Sequence, residues 1–281
     1  MASEITQSSL FEPTAVVLGS GSFSSVYKGR RISDNLPVAI KIFNPKVLPE
    51  AAREECELCK HLMRLDIAGI VKFFYVACDL SVPAFEIIME NLTGGELFER
   101  IVNKGILSEN QAASIMYNLI DTISQLHCKA NIIHADIKPE NIVFVDDREY
   151  APFRLIDVGL SIHTSRQNVI NGLAMKELVG TFGYMAPETF FDRIYSESAD
   201  MWSVGVILYV LLSGSMPFDV DSKNFVKKLK LGQYYPTNGD MWANISSRAK
   251  DLVSRFLIAD PKLRISSTNA LVACEECISS L

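Results

Sequence analysis

Between Asn91 and Gly95 the hydrophobic pattern of the chain changes from strand-like to helical, and that change limits the folds open to it. Before it, β-formers cluster and alternate in Ala15-Val16-Val17-Leu18, Ser25-Val26-Tyr27-Lys28-Gly29 and Pro37-Val38-Ala39-Ile40-Lys41-Ile42-Phe43. Gly-Ser and Asp34-Asn35 breaks separate these runs, as expected of an antiparallel meander. A helical period interrupts from Pro49 to Leu65, and strand-like runs return at 70–74 and 85–90. Beyond Gly95 the clearest segments, Glu109 to Lys129, 200 to 213 and 246 to 257, are helical, with a loop-rich stretch from His134 to Pro187 between them. Strands and helices segregated in this way predict an α+β chain. A small sheet lobe with one helix is expected over 12–92 and a larger, mainly helical lobe over 93–281.

With 281 residues, 48% of them hydrophobic and 21% charged, the chain is long enough for two lobes, each with its own core. A net charge of −6 argues against general binding to nucleic acid or membrane surfaces. The start, Met1-Ala2-Ser3-Glu4-Ile5-Thr6, has no basic region followed by an apolar one, and Ala2 stands where myristoylation requires a glycine. A cytoplasmic or otherwise intracellular location is therefore expected. Residues 201–218 carry no formal charge, but serines, glycines and Pro217 break the run, which reads better as a buried core helix than as a membrane span. Six cysteines include the pairs Cys56/Cys59 and Cys274/Cys277, whose spacing could suit a four-thiolate zinc site. Both pairs lie in helical patterns. The favoured reading is small buried hydrophobes in a reducing compartment, with no zinc site expected.

The loop His134-Ala135-Asp136-Ile137-Lys138-Pro139-Glu140-Asn141, followed by Asp157-Val158-Gly159, groups acids, an amide and an amine in a pattern suited to phosphoryl transfer from a metal-bound nucleotide. Upstream, Gly19-Ser20-Gly21-Ser22-Phe23-Ser24-Ser25-Val26 lies between two strands, where glycines let backbone approach a phosphate. Taken alone, that segment reads equally well as a hairpin turn. Lys41 stands in the middle of an apolar strand, and an ammonium there must reach solvent or find an anion. Glu55 on the following helix is the preferred partner, with Glu54 and Glu57 as alternatives.

Five motifs in order, the Gly-rich loop, Val38-Ala39-Ile40-Lys41, the loop 134–141, Asp157-x-Gly159 and Ala186-Pro187-Glu188, resemble the eukaryotic protein kinase domain, which has a bilobal fold. The resemblance implies ATP and Mg²⁺ as cofactors. Lys41, held by Glu55, would contact the α- and β-phosphates, Asn141 and Asp157 would hold the metal, Asp136 would accept the substrate hydroxyl proton, and Lys138 would neutralise the γ-phosphate. Leu18, Gly19, Ser20, Gly21, Ser22, Val26 and Ala39 would line the nucleotide site, with Met89 at the back of the adenine pocket and Glu90 to Leu92 as its hinge. Asp200 would anchor the catalytic-loop backbone, and Arg264 would pair with Glu188.

Lys138 two residues after Asp136, together with Gly180-Thr181, resembles the serine/threonine class, so protein substrates with Ser or Thr acceptors are implied. Gly94-Gly95-Glu96-Leu97-Phe98-Glu99 and the segment 211–218 resemble the calcium/calmodulin-dependent kinase group. Glu96, counted among the ligand-binding positions, would with Glu99 and Glu140 favour basic residues upstream of the acceptor. Solvated surface acids are the alternative.

Three positions depart from the family pattern: Ser24 for the third loop glycine, Ala135 for the arginine before Asp136, and Val158 for a phenylalanine. The missing arginine normally receives an activation-segment phosphate. Residues 173–179 contain no Ser, Thr or Tyr, and Glu177 occupies the usual phosphosite, so activity independent of phosphorylation is expected. The 17 residues after Arg264 leave no room for a calmodulin-binding tail, and no EF-hand loop is found, so calmodulin is not expected as a partner of this chain. The competing readings are a pseudokinase acting as an interaction module and a small-molecule phosphotransferase.

Overall fold

A computed structural model describes residues 9–21, 23–44, 49–78, 85–164, 173–174 and 178–278. In chain order the elements begin with β1 (Phe11–Ser20), β2 (Ser24–Arg31), β3 (Pro37–Phe43), α1 (Pro49–Leu65), β4 (Phe73–Ala77) and β5 (Glu86–Glu90). There follow α2 (Leu97–Lys104), α3 (Glu109–Gln125), β6 (Ile132–Ile133), β7 (Ile142–Phe144), β8 (Phe153–Leu155), β9 (Ile162–His163) and β10 (Leu173–Ala174). The last are α4 (Pro187–Asp192), β11 (Ile194–Tyr195), α5 (Glu197–Ser213), α6 (Phe225–Leu231), α7 (Ser247–Phe256) and α8 (Ser267–Ile278). Two compact units result. One comprises the described residues up to Gly95 with Val143–Gly159, the other Glu96–Ile142 with the described residues from Leu160 onward. Compactness thus groups 143–159 with the first unit, whereas a linear division at Leu92 placed them in the second.

The first unit is built on an antiparallel sheet of order β1-β2-β3-β5-β4. Its central strand β3 alternates as period two requires. Val38 and Ile40 join Phe11 and Ile88 in a buried cluster, while Ala39 and Lys41 point to the opposite face. One difference from the expected strands is physical in origin. The run at 70–74 does not enter β4 until Phe73, because Ile70 forms a parallel bridge to Leu155, and Val71 N donates to Leu155 O at 3.1 Å.

In the second unit, serines cap three of the longer helices. Ser108 Oγ accepts from Gln111 N at the start of α3, Ser196 Oγ from Ala199 N at α5, and Ser246 Oγ from Ala249 N at α7. The expected helix from Glu109 to Lys129 continues past α3 as a π turn over Leu126–Ala130, which closes at Asn131 with φ 54°. The uncharged run lies in and just beyond α5, whose residues from Val204 to Ser213 are almost all buried, and Trp202 stacks on Phe218. Among the described residues no helix is long and apolar enough to cross a membrane.

α5 packs against α7 so closely at Gly205 that a side chain there would overlap Phe256 Cβ and lie 3.2 Å from Leu257 Cδ2. The Gly205→Ala variant is expected to lose about 1–3 kcal/mol, the usual cost of overfilling a packed core, seen as a lower urea midpoint. An unchanged midpoint would show that the helix pair relaxes freely.

Candidate active site

In the first unit, strand register assembles a row of candidate residues. Gly19 pairs with Val26, Val26 with Lys41, and Lys41 with Ile87, while Ala39 stands opposite Met89. Opposed residues of antiparallel strands share a face, so Val26, Ala39, Lys41 and Met89 lie together, away from the Val38–Ile40 cluster. Leu18 falls at the irregularity between Val17 and Gly19 and is exposed. Ser20 Oγ lies 3.2 Å from Ser25 Oγ, and Ser22 is outside the described residues. A Cβ built on Gly19 meets nothing within 4 Å, and one on Gly21 meets Ser24 O at 4.0 Å. Packing within the protein therefore does not require glycine at either position, and the open space suits the approach of an external group.

Lys41 Nζ lies 2.5 Å from Glu55 Oε1 and 3.2 Å from Asp157 Oδ1. Of the three acids considered, Glu55 is buried, whereas Glu54 is exposed and Glu57 half-buried beside Lys60. Burial works against the Lys41 ammonium, but Glu55 and Asp157 outweigh it and hold the lysine above its ordinary pKa. Burial also pushes the Glu55 carboxyl up, with Lys41 opposing the shift. Asp157 adopts φ 59° and accepts from Gly159 N at 3.3 Å. A Cβ on Gly159 would sit 2.9 Å from Glu55 Oε2, so the turn packs directly on the ion pair. Val158 is buried within it. At the end of β5, Glu90 N donates to Lys72 O at 2.8 Å, and Glu90 Oε1 accepts from Lys72 N and Arg154 Nε at 2.8 and 3.1 Å. Leu92 follows, half-buried.

The second unit positions its loop through Asp200, which is 1% exposed in the first turn of α5. Asp200 Oδ2 accepts from His134 N at 2.8 Å and lies 2.9 Å from His127 Nε2, and Oδ1 accepts from Ala135 N at 2.9 Å. Ala135 is thereby held at φ 66°, a conformation unfavourable for an L-residue. His134 Nδ1 accepts from Asp136 N at 3.3 Å. Asp136 Oδ2 lies 2.8 Å from Lys138 Nζ, and Asn141 Nδ2 donates to Asp136 O and Oδ2 at 2.8 and 3.2 Å.

A further residue completes this group. Thr181 Oγ1 donates to Asp136 Oδ1 at 2.6 Å and accepts from Lys138 Nζ at 2.8 Å. Sequence reasoning used Gly180-Thr181 as a class marker and missed this contact, because no periodicity links positions 136 and 181. Nearby, Glu96 N donates to Glu99 Oε2 at 3.1 Å. Partial burial, then the charges of Glu99 and Glu140, raise the Glu96 carboxyl above the usual range, with Lys138 opposing. The expected Glu188–Arg264 pair is present, bidentate at 2.6 and 2.9 Å, and Arg264 also donates to Ser198 O. Of the candidate residues, Lys41, Glu55 and Asp157 meet in the first unit, and Asp136, Lys138 and Asn141 in the second. Asn141 and Asp157 belong to different units. Glu177 lies outside the described residues.

A five-stranded antiparallel sheet with one helix, a mainly helical second unit and this ordered set of motifs define a class, and comparison with known proteins agrees. The family model described as the protein kinase domain matches residues 14–274. Calcium/calmodulin-dependent protein kinase type IV of Rattus norvegicus and of Homo sapiens are each 34% identical over 255 residues, 90% of this chain and 52% of theirs. Serine/threonine-protein kinase H1 of Homo sapiens is 34% identical over 262 residues, 91% of this chain and 58% of its own. The chain belongs to the protein kinase domain family. It spans a little over half the length of these relatives.

The Asp200→Ala variant would leave the buried amide of His134 and the half-buried amide of Ala135 without their acceptor. A loss of about 2–6 kcal/mol in denaturant stability is expected, from two orphaned donors at about 1–3 kcal/mol each, together with faster hydrogen exchange at both amides. Unchanged exchange would assign the loop's geometry to other contacts.

Proposed function

We propose that the chain is a protein serine/threonine kinase that uses ATP and Mg²⁺. The observation that carries this reading is the Thr181 hydroxyl, set between the Lys138 ammonium and the Asp136 carboxylate. It illustrates, inside the protein, how this pair treats an aliphatic hydroxyl: the carboxylate draws on the hydroxyl proton while the ammonium stabilises charge on the oxygen. A substrate Ser or Thr presented there would be oriented by Asp136, which would take its proton as the oxygen bonds to the γ-phosphorus of ATP and the bond to the departing ADP breaks. Asn141 gives its amide nitrogen to Asp136, so its oxygen is the remaining polar atom.

Asn141 and Asp157 each carry an oxygen donor of the kind that suits a hard cation such as Mg²⁺, and in the first unit Gly19, Gly21 and the Lys41 ammonium suit phosphate oxygens. When bound, Mg²⁺-ATP supplies the transferable phosphoryl group. Lys41, fixed by Glu55, would hold its phosphate oxygens, and Lys138 would offset the charge that develops near Asp136.

Substrates with arginine or lysine upstream of the acceptor are favoured by the acids Glu96, Glu99 and Glu140; burial first, then the charges of Glu99 and Glu140, raise Glu96, and a cation beside it would relieve that repulsion. Activity without activation-segment phosphorylation fits Ala135, which offers no guanidinium to a phosphate.

With Mg²⁺-ATP and a basic Ser/Thr peptide, the protein is expected to transfer phosphate. The Asp136→Asn variant should be slowed about 10²–10⁴-fold, the usual contribution of a general base. Nucleotide binding without transfer to any peptide would defeat the proposal in favour of an interaction module. The basic preference has its own test in pH. Because the Glu96 carboxyl is raised, lowering the pH should protonate it before an ordinary glutamate and raise KM for an arginine-containing peptide, an effect absent in Glu96→Gln. Equal profiles for both proteins would remove Glu96 from substrate recognition.

A further inference from the structure

We infer that Tyr195 is a positioning residue, a permanent tether that holds the segment leading into Thr181 without need of a phosphate; this rests on the kinase reading above. Tyr195 is fully buried in β11. Its backbone pairs with Leu173 of β10, and its hydroxyl accepts from Val179 N at 2.6 Å and donates to Val179 O at 2.8 Å. One side chain and its own backbone therefore grip both ends of the stretch that carries no phosphorylatable hydroxyl.

The ring belongs to a buried cluster with Ile133 and Ile162, against which Ala135 and Val179 pack. The same cluster thus joins the catalytic loop to the segment, at the position where an arginine is missing. Both bonds of the phenol fall on one residue's peptide groups, so they fix the orientation of Val179 as well as its place. Gly180 comes next, with φ +107°, and a Cβ on it would lie 2.8 Å from Ala135 O. Backbone thus approaches backbone there, and any drift of Val179 is passed to Thr181, whose hydroxyl meets Asp136 and Lys138. Burial pushes the Tyr195 phenol above its ordinary pKa, so it stays protonated and can serve as donor and acceptor together.

An arginine–phosphate contact is charge-assisted and switchable. The phenol is neutral, buried and always present. The Tyr195→Phe variant keeps the ring and removes both hydrogen bonds. Exchange of the Val179 amide is expected to rise about tenfold, as one lost hydrogen bond of ordinary strength allows. KM for the acceptor peptide should rise by a similar factor while KM for Mg²⁺-ATP stays unchanged, a split that general destabilisation would not produce. Phosphatase treatment of the unsubstituted protein should leave its activity intact.

Unchanged Val179 exchange and peptide KM in the variant would overturn the inference, as would loss of activity on phosphatase treatment. If the variant does not fold, the unsubstituted protein decides: Val179 should exchange more slowly than Leu178, and equal rates would reject the tether. If no peptide is phosphorylated by the unsubstituted protein, the kinase reading falls, and Val179 exchange still tests the tether by itself.

Discussion

A carboxylate almost wholly removed from water sits at the base of the second unit. Asp200 is buried among donors, and a charge in that position is tolerable only because His127, the His134 amide and the Ala135 amide all face it. The desolvation of such an ion amounts to several kcal/mol, comparable with the net stability of a whole domain, so the donors are not free to move away. Ala135 accordingly keeps a left-handed conformation that an unsupported alanine would leave. Asp136, Lys138 and Asn141 inherit their positions from that constraint.

The first unit solves a different problem by similar means. Lys41 brings a cation into an apolar sheet, and Glu55 and Asp157 neutralise it from a helix and a turn. Neither acid is a neighbour in sequence. The contact depends on the sheet's register and on Gly159 having no side chain to push Glu55 away. In both units a buried or half-buried charge selects one backbone arrangement, and the candidate residues sit on the arrangement so selected.

Much of this was legible from the chain. Period-two and period-3.6 patterns located the five strands of the first unit's sheet and most of the longer helices, since each element buries one face and the face repeats with the backbone, whereas the two- and three-residue strands β6 to β11 are too short to show a period. The uncharged run of α5 was readable because a helix buried all round has no polar face to display. The helix pattern favoured Glu55 over Glu54 and Glu57 as the partner of Lys41, and the contact at 2.5 Å shows that choice. Two long-range contacts, Asp200 with the loop and Glu188 with Arg264, came only through the family resemblance; others were not legible at all: Ile70 with Leu155, Thr181 with Asp136, and Tyr195 with Val179. Thr and Tyr are common residues, and nothing in their local context announces a partner that only tertiary packing supplies.

The alternation of β3 also bears on how the chain reaches its fold. Shifting that strand by one residue would turn Lys41 into the cluster of Phe11, Val38, Ile40 and Ile88, and would present Ile40 to Glu55 in its place. An ammonium among those side chains is costly enough that such a pairing could not persist. Lys41 therefore distinguishes the observed register of β3 from its one-residue neighbours: the ammonium that meets Glu55 in the one would be stranded among apolar side chains in the others.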